Sequence, residues 1–135
     1  MVTADLDGNG KAEAIIDFPG AGVWVWKNNT SWSQLHPSDA AAIVAGDFDG
    51  GGRTDLLIDF PGFGLWVWSN NTSWFQLHPS DSTVMTTGDL DGNDMADVII
   101  SFPGFGLWAR MNNAAWTQLH SLNPQGVVIG NLNGN

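Results

Sequence analysis

Carboxylates recur along this chain at a fixed spacing. Asp5, Asp7 and Glu13 take positions 1, 3 and 9 of the segment Asp5 to Glu13. Asp47, Asp49 and Asp55 repeat that spacing, and so do Asp89, Asp91 and Asp97. Position 5 holds Asn9, Gly51 and Asn93, and position 7 holds Lys11, Arg53 and Met95. Side-chain oxygens at positions 1, 3, 5 and 9 converge when glycines let the segment curl around a point. The backbone carbonyl of position 7 would add one more oxygen. Hard oxygen donors, several of them charged, are the ligands Ca²⁺ prefers. Nine of the 14 acidic residues stand at these positions. Carboxylates held about 4 Å apart repel one another, and a bound divalent cation removes that cost. Three Ca²⁺ per chain would take the formal charge from -10 to -4.

The three copies are not equivalent. Gly51 has no side-chain oxygen, so water must supply the fifth-position ligand of the second copy. Asp94 stands where the other copies have Gly10 and Gly52. A side chain there is expected to strain the turn. A fourth copy, residues 131–135, has Asn in place of both aspartates and ends before position 9. It is not expected to hold calcium by itself. The first five positions look like an EF-hand loop, but the closing acid arrives at 9 rather than 12.

The aromatic residues repeat too. Trp24, Trp66 and Trp108 recur, as do Trp32, Trp74 and Trp116, and Gln-Leu-His ends in His36, His78 and His120. Indole faces stack on sugar rings, and they also fill the gaps between packed sheets. The first Trp of each pair suits packing. The second position reads Trp26, Trp68 and Arg110, and replacement by Arg marks a partly exposed site. With Asn29, Asn71 and Asn113 nearby, these positions are the candidate contacts for a glycan. The histidines suit structural hydrogen bonding, because no nucleophile or paired acid repeats beside them. Asp17 and Asp59 are the repeated carboxylates outside the loops considered as a working pair, and Ser101 breaks their series. No enzymatic site is expected.

Composition narrows the classes further. Four basic residues against 14 acidic ones disfavour a nucleic-acid partner and an anionic membrane surface. No apolar run has the roughly 20 residues of a transmembrane helix, so no membrane insertion is expected. The absence of cysteine excludes disulfides and thiolate sites. Met1 to Asp5 shows no basic region or signal core, so any export signal lies outside this chain.

The elements that position these residues follow from one period. The acidic segment, the tryptophans and Gln-Leu-His all recur every 42 residues without insertion. Residues 5–46 and 47–88 are identical at 25 of 42 positions. We read 1–135 as one repeat domain with units 5–46, 47–88 and 89–130 and a partial copy at 131–135. Over one period, 42–45, 55–60, 65–68 and 74–78 are β-branched, apolar or aromatic, and Pro-Gly and Asn-Asn turn signals separate the later ones. No sustained helical period appears. The fold class is therefore all-β: four antiparallel strands per unit, the size of a β-propeller blade. Strands apolar on both faces fit a blade sandwiched between neighbours. Three blades cannot close a ring, so a homodimer completing a six-bladed propeller is expected. A segment of a longer propeller and an open arc are the alternatives. Residues 1–9 and 127–135 copy the same element, and strand exchange between chains is one use for the surplus.

The acidic segments, followed by Ile15-Ile16, Leu57-Ile58 and Ile99-Ile100, resemble the FG-GAP/VCBS repeats, over the whole chain. Those repeats form calcium-loop blades in integrin α-subunits and in many secreted bacterial proteins and lectins. The resemblance implies a structural Ca²⁺ that pins the turn joining the inner strand to the next. The Trp-rich remainder looks like the bacterial VCBS variety, which implies an extracellular or cell-surface bacterial protein. The expected function is a calcium-binding, lectin-like module whose partner is a glycan. The alternative is a structural or protein-adhesion segment with an extracellular protein as partner.

Overall fold

The computed structural model describes residues 1–130 and Leu132, so the expectation for the fourth loop copy lies outside the described residues. These residues form twelve strands and no helix. The first sheet contains β1 (Val2–Ala4), β2 (Glu13–Phe18), β3 (Gly22–Lys27) and β4 (Ser31–His36). The second contains β5 (Ala42–Gly46), β6 (Asp55–Phe60), β7 (Gly64–Ser69) and β8 (Ser73–His78). The third contains β9 (Val84–Gly88), β10 (Asp97–Phe102), β11 (Gly106–Met111) and β12 (Ala115–His120). In each sheet the strands lie in sequence order and every neighbouring pair is antiparallel. Each acidic segment is therefore the loop between the first and second strands of a sheet.

Turn chemistry sets the hairpins. Asn70 and Asn71 both adopt positive φ, 51° and 56°, and Thr72 N–H donates to Ser69 O. Two consecutive left-handed residues give the hairpin twist that matches the strands, and Asn tolerates them best after glycine. Asn28-Asn29 and Asn112-Asn113 do the same. At the other end of β7, Gly64 has φ 81°, and a Cβ there would collide with the His78 carbonyl. Only glycine allows β8 to close on the strand at that point, beside the irregular step between Leu65 and Trp66.

The packing explains why β6 and β10 are buried along their whole length. Alternate residues of a strand point to opposite faces. Leu56, Ile58 and Phe60 join Ala4, Leu6, Ile15, Val23 and Val25 of the first sheet in one core. Leu57, Leu65 and Val67 face the other way and join Val98, Ile100 and Phe102 of the third sheet in a second core. The second sheet is therefore sandwiched between its neighbours. The first strands neighbour one another, and Thr87 Oγ1 donates to Ala45 O, 2.9 Å away, between β9 and β5. Aromatic rings bridge the sheets at the opposite edge. His36 stacks on Phe60 at 4.3 Å and meets the edge of Trp74 at 5.7 Å. His78 repeats this against Phe102 and Trp116.

Residues 126–130 correspond to β5 and β9 by the repeat but form no strand. They still pack where a next first strand belongs: a Cβ on Gly88 would lie 2.6 Å from Ile129 Cγ2.

Candidate functional site

Each first hairpin loop gathers its three carboxylates. Asp5, Asp7 and Glu13 offer oxygens that lie within 4.8 Å of one another, and so do Asp47, Asp49 and Asp55, and Asp89, Asp91 and Asp97. The closing acid starts the second strand, where it is buried: Glu13 is 2% exposed and Asp97 is fully covered. The position-1 acid organises the loop backbone. Asp5 Oδ1 accepts from Gly8 N at 2.8 Å and Asn9 N at 3.1 Å, and its Oδ2 accepts from Gly10 N at 2.7 Å. Asp47 takes Gly51 N and Gly52 N, and Asp89 takes Gly92 N, Asn93 N and Asp94 N. A carboxylate that accepts several backbone N–H groups is held ionised. These bonds, with that from Asp94 the largest, hold Asp89 below the ordinary carboxylate range.

The closing acids carry a different load. Asp55 Oδ2 accepts from Phe48 N at 3.2 Å and Oδ1 from Asn70 N at 2.8 Å. Asp97 is held in the same way by Leu90 N and Asn112 N. Burial pushes the Asp55 carboxyl up despite those bonds, and the charges of Asp49 and Asp47 add to the effect. For Asp49, desolvation is outweighed by bonds from Asn70, Gly51 and Ser69, and its pKa falls. Glu13 differs from the other two. Its Oε2 accepts from Leu6 N at 2.9 Å, while its Oε1 is buried with no hydrogen-bond partner. A buried anionic oxygen without a donor is costly, and a cation is the partner that would satisfy it.

The position-5 amides bond within their own loops. Asn9 Oδ1 accepts from Lys11 N, and Asn93 Oδ1 from Met95 N, both at 2.8 Å. At Gly51 an added Cβ would lie 2.8 Å from Asp49 Oδ1, the oxygen that accepts from Gly51 N, as Asp7 Oδ1 accepts from Asn9 N in the first loop. Asp94 adopts φ 68°, the left-handed conformation its two glycine counterparts adopt. The position-7 side chains reach the neighbouring loop. Arg53 lies against Gly8, and Met95 against Gly50. Ala96 N–H also donates to Asp47 O at 2.8 Å, which joins the third loop to the second.

The spacing argument did not include Asn28, Asn70 and Asn112. Asn70 Nδ2 donates to Asp49 Oδ2 at 2.7 Å, and Asn112 Nδ2 to Asp91 Oδ2 at 2.8 Å. Asn28 Nδ2 reaches Asp7 Oδ2 at 3.4 Å, and Asn9 Nδ2 donates to Asn28 Oδ1 at 2.6 Å. The signal was a paired Asn at a fixed distance from each acidic segment.

The candidate glycan contacts come together in pairs. Trp26 Nε1 donates to Asn29 Oδ1 at 3.3 Å, and Trp68 Nε1 to Asn71 Oδ1 at 3.2 Å. Arg110 replaces that indole, donates to the carbonyls of Asn113 and Ala114, and lies over the Trp116 ring at 5.2 Å. Trp26 and Trp68 also lean on Trp32 and Trp74, with ring centres 5.0 Å apart. The first tryptophans donate elsewhere: Trp66 Nε1 bonds Phe63 O at 3.0 Å, and Trp108 Nε1 bonds Phe105 O at 2.9 Å. Each histidine accepts a backbone N–H at Nδ1 from two residues on, Ser38, Ser80 or Leu122.

Asp17 and Asp59 are occupied by the links between sheets. Asp17 Oδ1 accepts from Ala40 N, and Asp59 Oδ2 accepts from both Ser82 N and Ser82 Oγ. In the third sheet Ser101 takes the same place, and its Oγ accepts from Asn123 Nδ2.

Consecutive four-stranded antiparallel sheets, with first strands adjacent and faces packed on one another, define an all-β, β-propeller-like fold. The chain is similar to the BBS1N chain of a crystal structure described as BBS1N in complex with ARL6DN, soaked with lead. The TM-score is 0.71 and the identity 17%, and the match covers 98% of this chain and 46% of that one. This chain thus spans less than half the length of that neighbour. A likeness at this identity speaks for the fold alone. No family model and no curated protein matches the sequence.

Proposed function

We propose that this protein is a calcium-binding β-propeller module that binds carbohydrate and catalyses no reaction. The observation that supports calcium most directly is Glu13. Its Oε1 is buried, has no donor, and belongs to a side chain clustered with Asp5 and Asp7. A divalent cation would turn that unsatisfied atom, and the crowding of three carboxylates, into ligation. The carboxylate cluster, though not the unpartnered oxygen, recurs in the second and third loops, so about three structural Ca²⁺ per chain are expected. Each would pin a first hairpin and, through Arg53, Met95 and the Asp47–Ala96 bond, its neighbour.

The carbohydrate part rests on repeated aromatic surfaces next to hydrogen-bonding side chains. Repetition gives several weak sites and hence avidity. The pairing of Trp26 with Asn29, and of Trp68 with Asn71, favours a second reading, a structural or protein-adhesion segment, because those polar groups already serve one another. Calorimetry of metal-stripped protein with CaCl₂ tests the metal. Saturable binding should appear, with stability rising by about 2.7 kcal/mol per occupied site at a hundredfold excess over Kd. Absence of binding in all three loops would remove the calcium reading. A glycan array probed with and without chelator separates the lectin from the adhesion reading.

A further inference from the structure

Two equivalent pockets open between consecutive sheets. The first has a volume of about 370 Å³ and is lined by His36, Ser38, Phe60, Phe63, Trp66 and Trp74. The second, about 470 Å³, is lined by their 42-residue counterparts His78, Ser80, Phe102, Phe105, Trp108 and Trp116. Both volumes fall in the range of small-ligand sites, about 300–1,000 Å³. One sheet supplies the histidine and serine, and the next supplies the four aromatic rings.

We infer that these two pockets are binding sites for a neutral sugar ring, an inference that rests on the carbohydrate reading above. The chemistry of the lining supports this in three ways. First, the aromatic walls are held in place. The His36 ring is stacked on Phe60, and the Phe60 and Trp74 centres are 5.9 Å apart. An apolar C–H face can stack on such walls.

Second, the lining residues carry hydrogen-bond donors. His36 Nδ1 accepts the Ser38 N–H at 3.1 Å, so a neutral imidazole carries its proton on Nε2. Trp66 Nε1 is committed to Phe63 O, whereas the Trp74 indole has no such partner among the described residues. Hydroxyl, ring and amide oxygens of a sugar accept from these groups. A quaternary ammonium ion has no acceptor and would leave them unpaired. Apart from the histidine no lining residue can ionise, and a protein of net charge -10 disfavours an anion.

Third, Phe63 and Phe105 are 67% and 70% exposed at turn tips beside the pockets. Packing gives no reason to place a phenylalanine there, and the first repeat manages with Ala21. The turn is nevertheless pinned: Asp81 accepts from Gly62 N at 2.7 Å and Gly64 N at 3.0 Å. Exposed rings carried on such turns at the rim act as the outer face of a stacking site. The assignment moves sugar contact to Trp66, Trp108 and the fourth-strand tryptophans, away from Trp26 and Trp68.

Saturation-transfer NMR tests it on calcium-loaded protein. The probes are the methyl glycosides of glucose, galactose, mannose and N-acetylglucosamine. The variants are Phe63→Ala/Phe105→Ala, which places the residue of the first repeat in both turns, and Trp26→Phe/Trp68→Phe as a control. Circular dichroism and melting confirm that each variant folds. Signal from at least one glycoside, weakened about tenfold or more in the Phe63→Ala/Phe105→Ala variant and unchanged in the control, is the expected result. Binding that survives in that variant but fails in the control would overturn the pocket assignment and leave the carbohydrate reading standing. No signal from any glycoside with folded protein would remove both. Signal from tetramethylammonium alone would overturn the sugar in favour of an organic cation.

Discussion

Glu13 and Asp59 carry buried oxygens without partners, yet they call for opposite partners. Glu13 sits with two further carboxylates, and only a cation relieves all three. Replacing it by Gln should stabilise the chelated protein slightly, because a buried unpaired charge disappears. It should also weaken calcium binding at the first loop by about tenfold or more, since ligand charge tunes such sites. Melting curves with and without calcium check both signs. An equal gain on calcium addition in wild type and Glu13→Gln would count against the site. Asp59 stands apart from the loops, 1% exposed. Desolvation raises its pKa, partly opposed by the Ser82 bonds and helped by the charge of Asp81. A carboxyl whose folded pKa lies above its unfolded value favours folding when protonated. Its contribution is present below the ordinary value, near 3.8, and is lost as pH rises through the raised one. The Tm advantage of Asp59→Asn over wild type should therefore be largest at neutral pH and shrink towards pH 4. A difference that does not vary with pH would contradict this account.

At the scale of the element, the loop and the third-to-fourth strand hairpin form one unit. Asn70 contributes its backbone N–H to Asp55 and its side chain to Asp49. Its φ of 51° means that Ala would add backbone strain, so Gly is the clean substitution. Asn70→Gly should cost about 1 kcal/mol, the scale of one partly exposed hydrogen bond to a charged group. It should also lower calcium affinity at the second loop, because Asp49 loses its restraint. Urea titration and calorimetry measure the two effects. Much of this unit can be read from residue order. Runs of β-branched, apolar and aromatic residues marked the strands, Asn-Asn marked the left-handed turn, and the 1-3-9 spacing marked the cluster. The reach of Asn28, Asn70 and Asn112 into the acidic loops could not be read, because about 20 residues of sequence separate the partners and only the strand register closes that distance.

At the scale of the whole molecule, burial is uneven among identical motifs. Trp32 is 48% exposed and Phe18 40%, whereas their counterparts in the second and third sheets pack against a preceding sheet. We propose that a further sheet covers this outward face, supplied by a second copy in a six-bladed ring. Light scattering coupled to size exclusion should then give twice the 14.5 kDa chain mass. A stable monomer at micromolar concentration would exclude the two-chain ring.

Residue order alone determined the period, the all-β class, the hairpin turns and the carboxylate clusters. The turns and clusters depend on neighbours within one hairpin, where apolar β-forming runs and the φ preferences of Gly and Asn leave few conformations. Only the tertiary structure decided which tryptophans line a pocket and which pair with their own hairpin. It also decided that Asp17 and Asp59 serve the links between sheets. Those outcomes depend on how one sheet stacks on the next, and that contact joins residues of successive repeats that each repeat, taken alone, presents in the same way.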